Sequence, residues 1–144
     1  LVAASEDHNA YPYSAKTYIK SSIRQIEVGF FRHLLEKNTA FAKEVINILS
    51  NNSVQIYGRF FCITNKQSFG RIADILLCLS DRVFKDTHYD LPLSRKELAE
   101  LTGMSSESVI RIIKKLNEDG LIRTNGKRVE LIDESNLRRI SETG

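Results

Sequence analysis

Cysteine is scarce in this chain, two in 144 residues, and the two are not paired as C-x-x-C. Cys62 and Cys78 lie inside apolar helical runs, where a thiol behaves as a small buried hydrophobe, so the chain reads as cytosolic and reduced. Histidine is equally sparse. His8, His33 and His88 are scattered, with no H-E-x-x-H and no carboxylate at ligand spacing, which leaves no metal site to expect. No apolar run approaches the roughly 20 residues of a membrane span, and no signal-peptide pattern follows Leu1. A glycine-rich phosphate loop, a nucleophile elbow and a credible pair of acids are all missing, so an enzyme has little support and no cofactor is implied. There are no internal repeats and no low-complexity segments.

What the chain does have is enough apolar material for real cores, at 42% hydrophobic and 27% charged residues, with a mild net charge of +3. That excess permits nucleic-acid binding without arguing for it. Position says more than the sum. Between Arg95 and Arg128 the positive residues gather on one helix and one hairpin, in the stretch Leu91 to Ile132 that organises the rest.

Ser94 is a good N-cap, and Glu97 completes a capping box, so a helix should start at Arg95 and run over Leu98, Ala99 and Leu101. Thr102-Gly103 stops it, because glycine takes the left-handed conformation at little cost. A second helix, 105–116, follows at once. Ser105 caps it, Ser108 is its third residue, and Glu107 lies in the first turn where the dipole favours negative charge. Val109, Ile112, Ile113 and Leu116 make its buried side. The opposite face carries Ser106, Glu107, Ile110, Arg111, Lys114 and Lys115. Such a face is either a solvated charged surface or the reading face of a helix in the DNA major groove, where Arg bonds the acceptors of guanine and Glu accepts from cytosine. After a closing Asn117-Glu-Asp-Gly120, the sequence predicts a strand at 121–124, a hairpin turn at Asn125-Gly126 and a returning strand at 127–132. Helix, turn, helix and basic hairpin together describe a winged helix-turn-helix.

At this point the sequence resembles the C-terminal DNA-binding domain of the CRP/FNR family of bacterial dimeric transcription regulators. The resemblance rests on Leu93-Ser94-Arg95, Leu98-Ala99, Gly103, Ser105, Glu107-Ser108-Val109, Arg111, Leu116, Gly120-Leu121-Ile122 and the Gly-Lys-Arg wing. It also covers the GRIADILL run at 70–77, like the first helix of that domain. It implies base reading by Ser106, Glu107, Ile110 and Arg111 and phosphate anchoring by Arg95, Ser105, Ser108, Lys114, Lys115, Asn125 and Lys127. Ser106 stands where the catabolite activator has Arg, so the target sequence should differ from that regulator's. Double-stranded DNA and a second copy of the chain are the implied partners, with RNA polymerase as a further candidate, no membrane, and an effector of unknown identity. A winged-helix module that binds a protein without reading DNA is the alternative.

Upstream, Gly29 to Leu35 reads as a short helix, and Asn38-Thr39 begins a long one. Phe41, Val45, Ile48, Ile56, Phe60 and Ile63 keep one side of it apolar, and Ala42, Ile46, Leu49 and Tyr57 a second side. Its doubled apolar surface needs more than one neighbour, and the resemblance implies a dimerisation helix. Tyr18-Ile19 and Ser22 to Val28 read as two strands after a polar bend at 6–9, resembling the end of the family's effector-binding β-roll. Tyr13 and Ser14 fall at its phosphate-binding segment. Cyclic-nucleotide binders carry Arg at the place of Tyr13, so cyclic AMP is doubtful as effector. Leu1 stands where an initiating methionine would, and only the last part of a β-roll could be present, so a fragment of a longer protein is expected. Residues 86–90 read as a polar loop, 91–93 as a short strand, and Asp133 as the cap of a last helix through Ile140 with 141–144 frayed. The fold expected is therefore mainly α with small β: a β-roll remnant (1–37), a long dimerisation helix (38–66) and a winged helix-turn-helix (67–144).

Overall fold

A computed structural model of the chain describes residues 15, 17 and 20–143. It divides into two compact units, Leu1–Gly58 and Arg59–Gly144, with the boundary inside one continuous helix.

In the first unit the expected strand at Ser22 to Val28 is absent. Residues 20–27 have no regular structure, and Val28 already belongs to the helix α1, Val28–Lys37. A strand needs a neighbour for its amides, and Ile23 and Ile26 are exposed with nothing among the described residues to pack on. The bend at 6–9, the strand at Tyr18-Ile19 and the residues Tyr13 and Ser14 lie outside the described residues. Helix α2, Thr39–Asn65, begins as the sequence predicts: the Asn38 side chain accepts from the Phe41 amide at 3.0 Å. Phe31 of α1 meets Phe41 edge-on at 5.6 Å, and Val45 is buried. Ser53, a poor interior residue on propensity, returns its hydroxyl to the Leu49 carbonyl at 3.0 Å.

The second unit is built on α3, Ser68–Cys78, whose Gly70, Ile72, Ala73, Ile75, Leu76 and Leu77 are buried. The helix then widens into a π-helical segment, Leu79–Phe84, closed by Lys85 in the left-handed conformation (φ 53°). Ser80 holds this end by donating its hydroxyl to the Asp86 carbonyl at 2.9 Å. The first strand, β1, is His88–Asp90 and not 91–93. Buried Tyr89 decides this. Its ring stacks on Phe84 at 5.0 Å and its hydroxyl donates to the Leu76 carbonyl at 2.8 Å, whereas Pro92 has no amide to offer a ladder.

Helices α4, Arg95–Thr102, and α5, Ser106–Glu118, follow, then β2, Ile122–Asn125, and β3, Arg128–Leu131. The sheet is antiparallel in the order β1-β3-β2. Asn125 pairs with Arg128, so the turn centres on Gly126-Lys127, one residue later than expected. Gly126 has φ 60°, the conformation that a glycine-first hairpin turn demands. Helix α6, Glu134–Thr143, is capped by Asp133, which accepts from the Asn136 amide at 3.0 Å. It does not fray at Ser141. That side chain is buried, donates to Asp74 at 3.3 Å and accepts from Lys66 at 3.0 Å. The core joins Ile72 and Leu76 of α3 to Leu98, Val109, Ile112, Leu116, Val129 and Leu137.

Candidate nucleic-acid interface

The α4-turn-α5 unit is fixed by its caps. Ser94 accepts from the Glu97 amide at 3.2 Å while the Glu97 carboxylate accepts from the Ser94 amide at 2.8 Å, the full capping box. Gly103 ends α4 at φ 64°. Two arginines then hold the free carbonyls at that end, Arg71 donating to Thr102 at 3.0 Å and Arg59 to Leu101 at 3.3 Å. Sequence reasoning missed these two residues. Their partners lie 31 and 42 positions away, and no local pattern marks such a pair.

Ser105 caps α5, accepting from the Ser108 amide at 3.1 Å and donating its hydroxyl to Ser108 at 3.1 Å. The first-turn amides of Ser106 and Glu107 are left without a helical acceptor, the arrangement that favours an anion at a helix start. Val109, Ile112, Ile113 and Leu116 are buried. Glu107, Ile110, Arg111, Lys114 and Lys115 are exposed on the other side, with Ser106 half-buried beside them. Helix α5 thus presents as one face the four residues expected to read bases.

The basic residues differ in freedom. Lys114 lies 3.7 Å from Glu118 and Lys115 2.8 Å from Asp119, each one turn on. The hydrogen bond and charge of Asp119 raise the Lys115 ammonium above its ordinary range, so it stays charged. Exposed pairs of this kind contribute little and open readily. Arg123 is held at 2.8 Å by Glu130, which also binds His88 at 2.9 Å across the sheet. Among the described residues Glu107, Arg111, Lys127 and Arg128 form no ion pair. Asn125 and Lys127 are both exposed at the wing tip. Arg95 is partly withdrawn: its Nη1 is shut off from solvent without a hydrogen-bond partner. Of the residues expected on the dimer face, Phe41 is half-buried and Val45 buried within the single chain, while Ile48, Ile56, Phe60 and Ile63 are exposed.

Cys62 is buried and Cys78 half-buried, both as free thiols. Burial and the neighbouring Asp74 raise the Cys62 thiol, which keeps it protonated and unreactive at neutral pH. Among the described residues no cluster of His, Cys, Asp and Glu could hold a metal ion, and no helix is long and apolar enough to cross a membrane.

Residues 70–140 match the model of the Crp-like helix-turn-helix domain. The chain is 26% identical over 135 residues to the transcriptional activator protein Anr of Pseudomonas aeruginosa, a match covering 91% of this chain and 55% of that protein. It is 30% identical over 121 residues to the cAMP-activated global transcriptional regulator CRP of Haemophilus influenzae, covering 79% and 52%. It therefore spans about half the length of these curated relatives. Among solved structures, FixK2 from Bradyrhizobium japonicum superposes with a TM-score of 0.77 at 17% identity, over 83% of this chain and 61% of that one, a likeness of fold. A CRP-family transcriptional regulator from Thermus thermophilus gives 0.63 at 25% identity, over 73% and 55%.

Proposed function

From a chain that belongs to the CRP/FNR family of transcription regulators through its Crp-like helix-turn-helix domain, we propose a bacterial, cytoplasmic protein that binds a palindromic operator as a homodimer, laying α5 in the major groove. One observation carries this: the face of α5 opposite its buried side is exposed and, Ile110 apart, polar, with a free arginine and glutamate one turn apart. A protein-docking helix would expose several apolar anchors there, not one isoleucine among charged and hydroxyl groups.

Glu107 and Arg111 would read neighbouring base edges. The open amides at the start of α5, with Ser105 and Ser108, and the wing residues Asn125 and Lys127 would hold phosphates. Lys114 and Lys115 would leave their acids for phosphates at small cost. The domain division follows the same reading, with 1–37 as the end of an effector domain, 38–66 as the dimer helix and 67–144 as the DNA-binding domain. RNA polymerase is the partner a promoter-bound regulator would meet next. Tyr13 offers no charge to a cyclic phosphate, so cyclic AMP should leave binding unchanged.

Selection of bound duplexes from a random DNA pool tests the proposal. The expected product is one inverted repeat with half-sites about one helical turn apart. Enrichment of no sequence would move the protein-interaction reading ahead. Micromolar calorimetric binding of cyclic AMP that depends on Tyr13 or Ser14 would refute the effector reading.

A further inference from the structure

Ile110 is the anomaly of the α5 surface. It is 52% exposed, whereas Val109, Ile112, Ile113 and Leu116 on the same helix are all buried. It stands between polar neighbours, with Ser106 and Glu107 one turn before it, Arg111 beside it and Lys114 one turn after. The core gains nothing from it. The helix gains nothing either, because a β-branched side chain in an exposed helix interior is a poorer helix former than alanine, lysine or glutamate. A large apolar side chain in the middle of a hydrogen-bonding face is covered only when that face meets a ligand that is itself apolar at one point. The major groove has such a point: the C5-methyl group of thymine, the one apolar group that a base pair displays there.

We propose that Ile110 reads a thymine methyl group in each half-site, making the operator T-specific at a base step beside the pairs addressed by Glu107 and Arg111. This rests on the reading of α5 as a recognition helix and adds the chemistry of one position to it. Neither Glu107 nor Arg111 can do this work, since a charged group loses hydration against a methyl and gains no hydrogen bond from it.

The test uses the full chain and the operator it selects. Each thymine of a half-site is replaced in turn by deoxyuridine, which removes the methyl and leaves every hydrogen-bonding atom. The expected result is one thymine, equivalent in both half-sites, whose replacement weakens binding about fourfold per half-site, the worth of one buried methyl group. In Ile110→Ser the thymine and deoxyuridine duplexes should bind alike at that position, while Ile110→Val restores the difference. Circular dichroism and sedimentation equal to the parent's would show that neither variant alters the fold. Specific binding without any methyl-sensitive thymine, or a sensitivity that Ile110→Ser leaves intact, overturns the role of Ile110 and leaves the recognition helix standing. Absence of any sequence preference overturns both.

Discussion

Arg111 and Lys127 are both exposed cations, yet their surroundings predict different losses. Arg111 lies one turn beyond Glu107 on a face whose back is locked into the core, so its guanidinium can be aimed at a base pair. Lys127 sits in the two-residue turn of the wing, its backbone carbonyl accepting from the Leu91 amide at 2.8 Å while its side chain is exposed. Arg111→Ala should cost about 1–3 kcal/mol per half-site on the selected operator and far less on random DNA. Lys127→Ala should weaken both alike and reduce the salt slope by about one. Gel-shift titrations at several salt concentrations on both DNAs separate the two. Equal losses from both substitutions would mean that α5 does not read bases.

Elements of the second unit are joined by two kinds of contact, and only one of them can be seen in a sequence. The capping box of α4 is local. Ser94→Ala should cost about 1 kcal/mol, read in urea unfolding, and should leave the slope of the transition unchanged. The other kind is the polar cluster at Asp74. Its carboxylate meets Lys66 at 2.7 Å, Arg59 at 3.2 Å and Ser141 at 3.3 Å, tying α2, α3 and α6 together. Burial pushes the Asp74 carboxyl up, but the hydrogen bond and charge of Lys66, with Cys62 and Arg59, hold it net below its usual range. A carboxyl lowered on folding stabilises the native state above its unfolded value of about 3.9, and that contribution disappears as pH falls through this value toward the folded one. The stability difference between the parent and Asp74→Asn should thus be full at neutral pH and shrink below about pH 4. A difference that persisted there would remove the ionised carboxylate from the account.

The same division explains what was legible. The caps at Asn38, Ser94, Ser105 and Asp133, the stop at Gly103 and the wing were readable because each is written within a few residues. The strand β1 was not, because Tyr89 chooses it through Leu76 and Phe84. Nor was the order of Ser141, which depends on Lys66 and Asp74 far upstream. The stretch at 22–28 shows the reverse error: Ile23, Ile26 and Val28 suggest a strand, but a strand exists only beside another. In the candidate site the buried and exposed faces of α5 were legible, since helical spacing alone sorts one from the other. The acids beside Lys114 and Lys115 were also within reach, at four residues' distance.

At the scale of the whole molecule the open question is what covers α2. Ile46, Leu49, Ile56, Phe60 and Ile63 are all exposed, with Ile56 and Phe60 each at 67%. With Ser53 they fall at intervals of three and four, the seam of a two-stranded coiled coil. Ile48 lies off this seam, Val45 is buried and Phe41 half-buried within the chain, so we propose a contact face narrower than the one that apolar spacing alone suggests. A parallel two-fold pair along this seam would bury those residues on both copies, and a palindromic site would then need the two α5 helices about 34 Å apart. Phe60→Asp puts a charge into the seam of each copy and should turn dimer into monomer in sedimentation at micromolar concentration. Because Phe60 is exposed in the single chain, the monomer's circular dichroism should be unchanged. Operator affinity should fall steeply while binding to a single half-site stays as it was, since α5 is untouched. A parent chain that sediments as monomer, or a Phe60→Asp chain that stays dimeric, would place the contact elsewhere.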